Sequence, residues 1–378
     1  MSRRKTLLLC AATAIISLAV GAIGTGVGIL VWSPWGKLLR ISKLVEATFY
    51  KQVDPAVFPE GAARGLLEAL GDPYSEYLTA AEWREFQVRS SGEYSGVGIT
   101  IQEDKDGRVV VVSLMKDSPA EKAGILPKDI LIKVDGIPVK SGDDAAVRIR
   151  GPEGTQVNIT VLRAEEEITF ALTRAVIVVP AAEWKMMEPG IGYVRLISFT
   201  ERAYHDTAQA IQDLRAKGAR ALILDLRDNG GGDLDQCVQV AGLFIPEGPV
   251  VTLKGRAYPP KTYRAGGEGL GMPLVVLVND LTASASEIVA GAIQDTKSGT
   301  IVGVTTFGKG VVQQLFPQPD GSCVKVTTFE YFTPSGRSIH EKGIVPDVVV
   351  ENPEPGAQTD RQLDKALELA RQALQRPM

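Results

Sequence analysis

From about residue 176 onward the chain alternates between short, uninterrupted apolar runs and amphipathic helical patterns. Residues 192–197, 221–226, 273–279 and 300–304 read as strands, and residues 201–217, 234–244 and 286–296 between them read as helices. A strand that is apolar at every position has no face to offer to water, so it must be covered on both sides. Strands that alternate with helices supply that cover, and the pattern predicts an α/β core.

The residues ahead of this core behave differently. Residues 92–175 read as a compact β-rich module. Two β-type runs flank Asp104-Lys-Asp-Gly107, a hairpin signal, and Ser118-Pro-Ala-Glu-Lys-Ala-Gly124 has a helix cap at one end and a glycine stop at the other. Residues 36–91 carry Leu38, Leu39, Ile41, Leu44, Val45 and Phe49 at helical spacing, and further short helices follow at 62–70 and 80–88. A last helix is expected over 359–376. The chain therefore divides into residues 1–35, a helical region 36–91, the β module 92–175, the core 176–350 and a helical tail 351–378. The two helical ends are open to two readings: a homodimer, or packing within one subunit.

Residues 1–35 are set apart by charge. Met1-Ser-Arg-Arg-Lys5 is basic, and no charged side chain follows until after residue 33. About 20 apolar residues cross a bilayer as a helix, and basic residues ahead of such a run keep that end in the cytoplasm. A membrane anchor with everything after Trp35 outside the cytoplasm, periplasmic or at the cell exterior, is expected. The alternative is a signal peptide cleaved near Ala19-Val-Gly21, leaving a secreted protein. The formal net charge of −4 gives no reason to expect nucleic acid as a partner. Three cysteines make no disulfide framework; Cys237 and Cys323 either pair or are buried thiols. No metal-ligand spacing and no cofactor motif occurs, so neither is expected.

Chemistry concentrates at three turns of the core. Ser284, in Thr282-Ala-Ser-Ala-Ser-Glu287, falls between a strand and a helix. A hydroxyl there faces the N–H groups and positive dipole end of the helix. The same residues read as a capping box, which explains the serine without catalysis. Ser286 competes as nucleophile but falls inside the first helical turn. Lys309, in Phe307-Gly-Lys-Gly310, lies 25 residues after Ser284. A lysine removes a hydroxyl proton only when neutral, a state that burial favours; a solvated loop lysine is the plainer reading. Gln313 follows in the next strand, where it either holds the lysine amine or lines a sheet face. Asn229-Gly-Gly-Gly232 follows a buried strand, so the N–H of Gly230 or Gly231, together with that of Ala285, suits an oxyanion. No Lys-Ser/Thr follows these glycines, which excludes a phosphate loop. In the β module, Ser95-Gly-Val-Gly-Ile99 places Val97, Gly98 and Ile99 where successive N–H groups suit a peptide carboxylate. The two histidines, His205 and His340, have no Asp or Asn in an obvious orienting position and read as surface or packing residues.

Taken in order, these motifs resemble the C-terminal processing peptidases, or tail-specific proteases. Asp72-Pro-Tyr-Ser-Glu-Tyr-Leu78 is similar to the segment ahead of that family's PDZ domain, and residues 92–174 to the PDZ domain itself. Leu224-Asp-Leu-Arg-Asp-Asn-Gly-Gly-Gly232 resembles the oxyanion-side motif, and Ser284-Ala-Ser-Glu-Ile288 the nucleophile motif. Phe307-Gly-Lys-Gly-Val-Val-Gln313 resembles the lysine motif, and Lys342-Gly-Ile-Val-Pro-Asp347 the closing motif. Gly-Gly-Gly stands where many members have Pro-Gly-Gly, so which glycine faces the oxyanion stays open.

The resemblance implies a ClpP/crotonase-like ββα core with an inserted PDZ domain and an N-terminal helical segment. It implies a serine endopeptidase in which Ser284 is nucleophile, Lys309 base and Gln313 the residue orienting the lysine. Its substrates would be proteins with flexible apolar C-termini captured by the PDZ domain. Arg150 falls where the family carries an arginine coupling PDZ position to activity, with Arg148 close by in sequence. Two rivals stand beside this: a PDZ scaffold on an inactive core, and a trypsin-type PDZ protease using histidine. The intact Ser284, Lys309 and Gln313 argue against the first, and the absence of a Gly-x-Ser-Gly serine against the second.

Overall fold

The computed structural model describes residues 33–351 and 359–375. The uncharged run at 6–33 lies almost wholly outside them, and so does the membrane expectation built on it. Among the described residues no helix is long and apolar enough to cross a membrane.

Two compact units divide the chain: residues 1–80 with 314–327, and residues 81–313 with 328–378. The smaller unit holds helices Pro34–Thr48 and Val57–Glu68, the first opened by the Ser33 hydroxyl, which accepts the Gly36 N–H. Strand Glu76–Leu78, which the sequence did not signal, pairs antiparallel with Cys323–Lys325. Asp72 accepts the Ser75 hydroxyl, whose oxygen in turn accepts the Thr327 N–H. The Asp-Pro-Tyr-Ser motif thus closes this unit.

In the larger unit the β module is built from Ile99–Glu103, Val109–Leu114, Ile130–Val134, Gln156–Arg163 and Glu166–Thr173, all antiparallel, with helix Gly142–Ile149 packed beside them. Its own core includes Val97, Ile125, Leu131, Val157, Ile159 and Val161.

The core sheet runs in the order β1 (Ala182–Glu188), β2 (Ile191–Leu196), β3 (Ala221–Asp225), β4 (Leu274–Val278), β5 (Thr300–Gly303), β6 (Val348–Val349). β1 pairs antiparallel with β2, and every other neighbouring pair is parallel. Helices α1 (Ala203–Ala216), α2 (Leu234–Gly242) and α3 (Ala285–Asp295) contribute to the core on one face with Leu222, Leu224, Val276, Val278 and Ile301. The last helix, α4 (Arg361–Gln375), covers the other: its Ala366, Leu367 and Ala370 pack with Ala221, Ile223, Val275, Leu277 and Val302. Alternate residues of β3 thus enter opposite cores, which is why it reads as one continuous apolar run. The helix of the tail expected over 351–378 therefore forms one layer of the α/β core. Cys237 and Cys323 are free and buried. Burial pushes the Cys237 thiol well up, and its Sγ donates to the Ala285 carbonyl at 3.2 Å. It is a packed thiol, not a nucleophile.

Candidate active site

Three adjacent parallel strands, β3, β4 and β5, release their chains at their C-terminal ends into three loops: Leu226–Asp233, Asn279–Ser284 and Val304–Gly310. The C-terminal edge of a parallel sheet is where such folds place their sites. Parallel pairing alone therefore gathers the glycine turn, Ser284 and Lys309 from widely separated positions.

Ser284 immediately precedes α3 and has φ 55° and ψ −117°. Few residues other than glycine adopt this region, at a cost of about 1–3 kcal/mol, so the turn that presents its hydroxyl is a strained one. Ser284 and Glu287 form the capping-box pairing, in which Glu287 Oε2 accepts the Ser284 N–H at 2.8 Å. Helix capping and presentation of the serine are therefore one arrangement. Ser286 is different: it is fully buried and its hydroxyl donates to the Asn229 carbonyl at 2.9 Å, so it is not available as a nucleophile.

The lysine loop is laced to the serine loop. Phe307 N–H donates to the Thr282 carbonyl at 3.0 Å. Glu287, which is fully buried, accepts four donors: the Thr306 hydroxyl at 2.5 Å and the Gly308 N–H at 2.7 Å on Oε1, and the Ser284 and Lys309 N–H groups at 2.8 and 2.9 Å on Oε2. Burial pushes the carboxyl above the usual glutamate value, against the pull of these bonds. Lys309 is half-buried. Gly310 cannot be replaced, because a Cβ there would meet the His340 backbone at 2.5 Å. Gln313 sits in strand Val311–Pro317, four residues after the lysine. The Tyr331 hydroxyl donates to the Ser284 carbonyl at 3.1 Å, and its N–H to the Gly310 carbonyl at 3.0 Å.

The glycine turn docks on the serine loop through Asn229. This buried side chain donates to the Leu196 carbonyl at 2.7 Å and accepts the Gly231 N–H at 2.9 Å, while the Asn229 carbonyl accepts the Ala283 N–H at 3.0 Å. Gly231 has φ 96°, and a Cβ added there would stand 2.8–2.9 Å from Ala285 N, Ala283 O and Ser284 Cβ. Gly230 is exposed, with open space around it. The Ala285 N–H belongs to the first turn of α3, where no carbonyl four residues back lies within the helix. Of the two glycine N–H groups, that of Gly231 is committed to Asn229.

In the β module, Val97 is a core side chain. Gly98 has φ 78°, and a Cβ there would stand 2.4 Å from Ser118 Cβ. The Val97 carbonyl accepts the Ala120 N–H, and the Gly98 carbonyl the Met115 N–H. These bonds turn the loop's carbonyls inward. Ile99 opens the strand that follows. The two arginines separate clearly. Arg148 is spent inside the module on Asp144 and the carbonyls of Ile137 and Pro138. Arg150 lies over the Tyr94 ring at 5.7 Å and 3.9 Å from Glu85.

His205 is exposed on α1, and His340 contributes backbone to the wall beside Gly310. Asn229, Thr306 and Tyr331 were not singled out by sequence. Only Asn229 carried a signal, as the residue leading a glycine run. Among the described residues no group of three His, Cys, Asp or Glu is placed to hold a metal ion.

Residues 190–350 match the model of peptidase family S41, residues 110–163 that of a PDZ domain, and residues 29–81 that of the N-terminal domain of the activating protease CtpB. The chain is 41% identical over 302 residues to the carboxyl-terminal-processing protease of Synechocystis sp., covering 77% of this chain and 71% of that one. It is 37% identical over 327 residues to the carboxy-terminal processing protease CtpA of Bacillus subtilis, covering 85% and 70%. A solved structure from Bacteroides fragilis, described as a candidate S41 protease, aligns with a TM-score of 0.51 at 16% identity, covering 87% of this chain and 96% of that one. That likeness bears on the fold alone.

Proposed function

This chain belongs to the S41 family of carboxyl-terminal processing serine proteases with a PDZ domain, and on that premise we propose that it cleaves by a Ser284–Lys309 dyad. The observation that carries the reading is the Glu287 carboxylate, which ties the Ser284 and Lys309 backbones to one buried point. Ser284 Oγ attacks the peptide carbonyl carbon as its proton passes to Lys309 Nζ, with Gln313 orienting the amine. The oxyanion receives the Ala285 N–H and a glycine-turn N–H, and the commitment of the Gly231 N–H to Asn229 favours Gly230. Lys309 returns the proton to the leaving amine, and water then cleaves the acyl-enzyme.

Substrate selection is assigned to the PDZ domain: a flexible apolar C-terminus adds to the domain's edge, with its carboxylate at the Val97–Ile99 backbone. Arg150, beside Tyr94 at the entry to that loop, couples occupancy to activity. The enzyme is placed outside the cytoplasm, anchored by the uncharged run at 6–33 behind Arg3, Arg4 and Lys5. A homodimer through the N-terminal helices is part of the same reading. Trp35, Leu44, Val57 and Leu66 are each at least half exposed there, an apolar surface that a second copy would cover.

The deciding experiment compares full-length protein with its Ser284→Ala and Lys309→Ala variants on a protein bearing a flexible apolar tail, with its carboxylate free or amidated. Both variants are expected to lose at least 1,000-fold in kcat, on the order seen when a nucleophile or its base is removed. Amidation is expected to slow the wild type. Activity retained in Lys309→Ala would rule out the dyad. Protease protection in intact cells and light-scattering mass test the location and the dimer.

A further inference from the structure

The glycine turn is held from behind by the C-terminal helix. Arg227, two residues ahead of Asn229, is only 13% exposed. Its Nε and Nη2 donate to the Asp225 carboxylate at 3.0 and 2.6 Å. Its Nη1 reaches past that pair to Asp360 Oδ1 at 2.8 Å and Gln362 Oε1 at 3.2 Å, across 133 and 135 residues of sequence. Both partners are themselves fixed. Asp360 Oδ1 accepts the Leu363 N–H at 3.0 Å at the start of α4, and fully buried Gln362 donates to the Val350 carbonyl at 2.9 Å. On the other side of Arg227, Asp228 has φ 61° and is gripped twice by Asn279, at 3.0 and 2.8 Å.

The space behind this turn is a polar cavity of about 540 Å³ bordered by Tyr193, Arg227, Asp228, Asn279 and Asp360. The turn's position is set by directed bonds: the Ser286 hydroxyl of α3 holds the Asn229 carbonyl on one side of the sheet, and Arg227 ties the turn to α4 on the other. Charge-assisted bonds of this kind are short, directional and about twice as strong as neutral ones.

We propose that Asp360 and Gln362 are positioning residues for catalysis: acting through Arg227, they hold the glycine turn where its N–H meets the oxyanion. The inference rests on the reading of that turn as the oxyanion side. It makes α4 a working part of the active site rather than a cover for the sheet.

The test uses the full chain as Asp360→Asn and as Asp360→Asn/Gln362→Leu. Asparagine retains an oxygen able to cap α4 but loses the charge that Arg227 meets. Three quantities are read: kcat and KM on a fluorogenic peptide with a free apolar C-terminus, the Ki of a peptide boronic acid, whose tetrahedral adduct places an oxygen in the oxyanion position, and the active-site titre with a fluorophosphonate. The expected result is a kcat about tenfold lower in Asp360→Asn and lower again in the double variant. KM should stay within twofold, the boronate Ki should rise in step with the fall in kcat, and the titre should not change. A double variant within twofold of wild-type kcat overturns the proposal, and so does a loss of rate matched by a loss of titre at constant Ki. The underlying reading fails separately, if Ser284→Ala remains active.

Discussion

The buried carboxylate of Glu287 accepts the backbone N–H of Lys309 at 2.9 Å. The oxygen that does so also accepts the N–H of Ser284, so two loops from two different strands meet on one atom. A side chain whose local role is to cap a helix is, in three dimensions, the pin between nucleophile and base.

Replacing Glu287 by glutamine should therefore be far from conservative. An amide has one acceptor oxygen, and two of the four donors would face its NH2 group. Each buried donor left unpaired costs about 1–3 kcal/mol, so Glu287→Gln is expected to lose at least 2 kcal/mol in urea unfolding and at least tenfold in kcat. The pH dependence has a definite sign. Burial raises this carboxyl above 4.5 in the fold, so the native state holds its proton where the unfolded state has released it. Wild-type stability relative to the glutamine variant should fall as pH rises through that window and level off above it. A wild type unchanged relative to the variant across the window would contradict this.

The two candidate oxyanion glycines should differ sharply on substitution. Gly231→Ala forces a Cβ to within 2.8–2.9 Å of Ala285 N, Ala283 O and Ser284 Cβ, at a φ of 96° that alanine avoids. Gly230→Ala meets nothing within 4 Å. Steady-state kinetics should show at least a 100-fold loss of kcat for the first and less than threefold for the second. Equal effects would remove the assignment of the turn.

Arg148 and Arg150 should separate stability from control. Arg148 is tied to Asp144 and two carbonyls, so Arg148→Ala is expected to lower the melting temperature of the PDZ domain by several degrees. The Arg150 side chain makes the ring contact and a long ion pair. Arg150→Ala should leave melting within a degree or two while reducing the rate difference between free and amidated tails. Unchanged tail dependence would dismiss it as the coupling residue.

Asp129 gives the PDZ domain an acid limit. Burial works against its charge, yet the two bonds from Arg163 and the Leu126 N–H hold its carboxyl below the usual 3.8. Its stabilisation is then complete above 3.8 and is lost as pH falls through the lowered native value. Acid unfolding followed by circular dichroism should show Asp129→Asn less stable than wild type at neutral pH, with the two curves converging in acid. A constant gap down to the lowest pH would contradict the pairing.

Much of this architecture was legible from local pattern. The apolar runs of β3 and β4 announce a sheet covered on both faces, and Ser118, Gly124 and Ser284 sit at the helix boundaries their side chains predict. Strands Pro246–Lys254 and Lys261–Glu268 were not legible. Pro246, Gly248, Pro249, Gly266 and Gly267 read as breakers, and the pair forms because register shifts absorb the prolines and Phe332 supplies a partner far along the chain. Thr306 and Tyr331 were silent because nothing beside them in sequence shows what they hold.

For Ser284 and Lys309, residue type, spacing and the strand–turn–helix setting came from the sequence, because those depend on bonds within a few residues. The convergence of their loops on Glu287, the commitment of the Gly231 N–H to Asn229, and the reach of Arg227 to Asp360 belong to the tertiary structure. They depend on which strands lie side by side, and parallel pairing joins segments that local periodicity leaves unrelated.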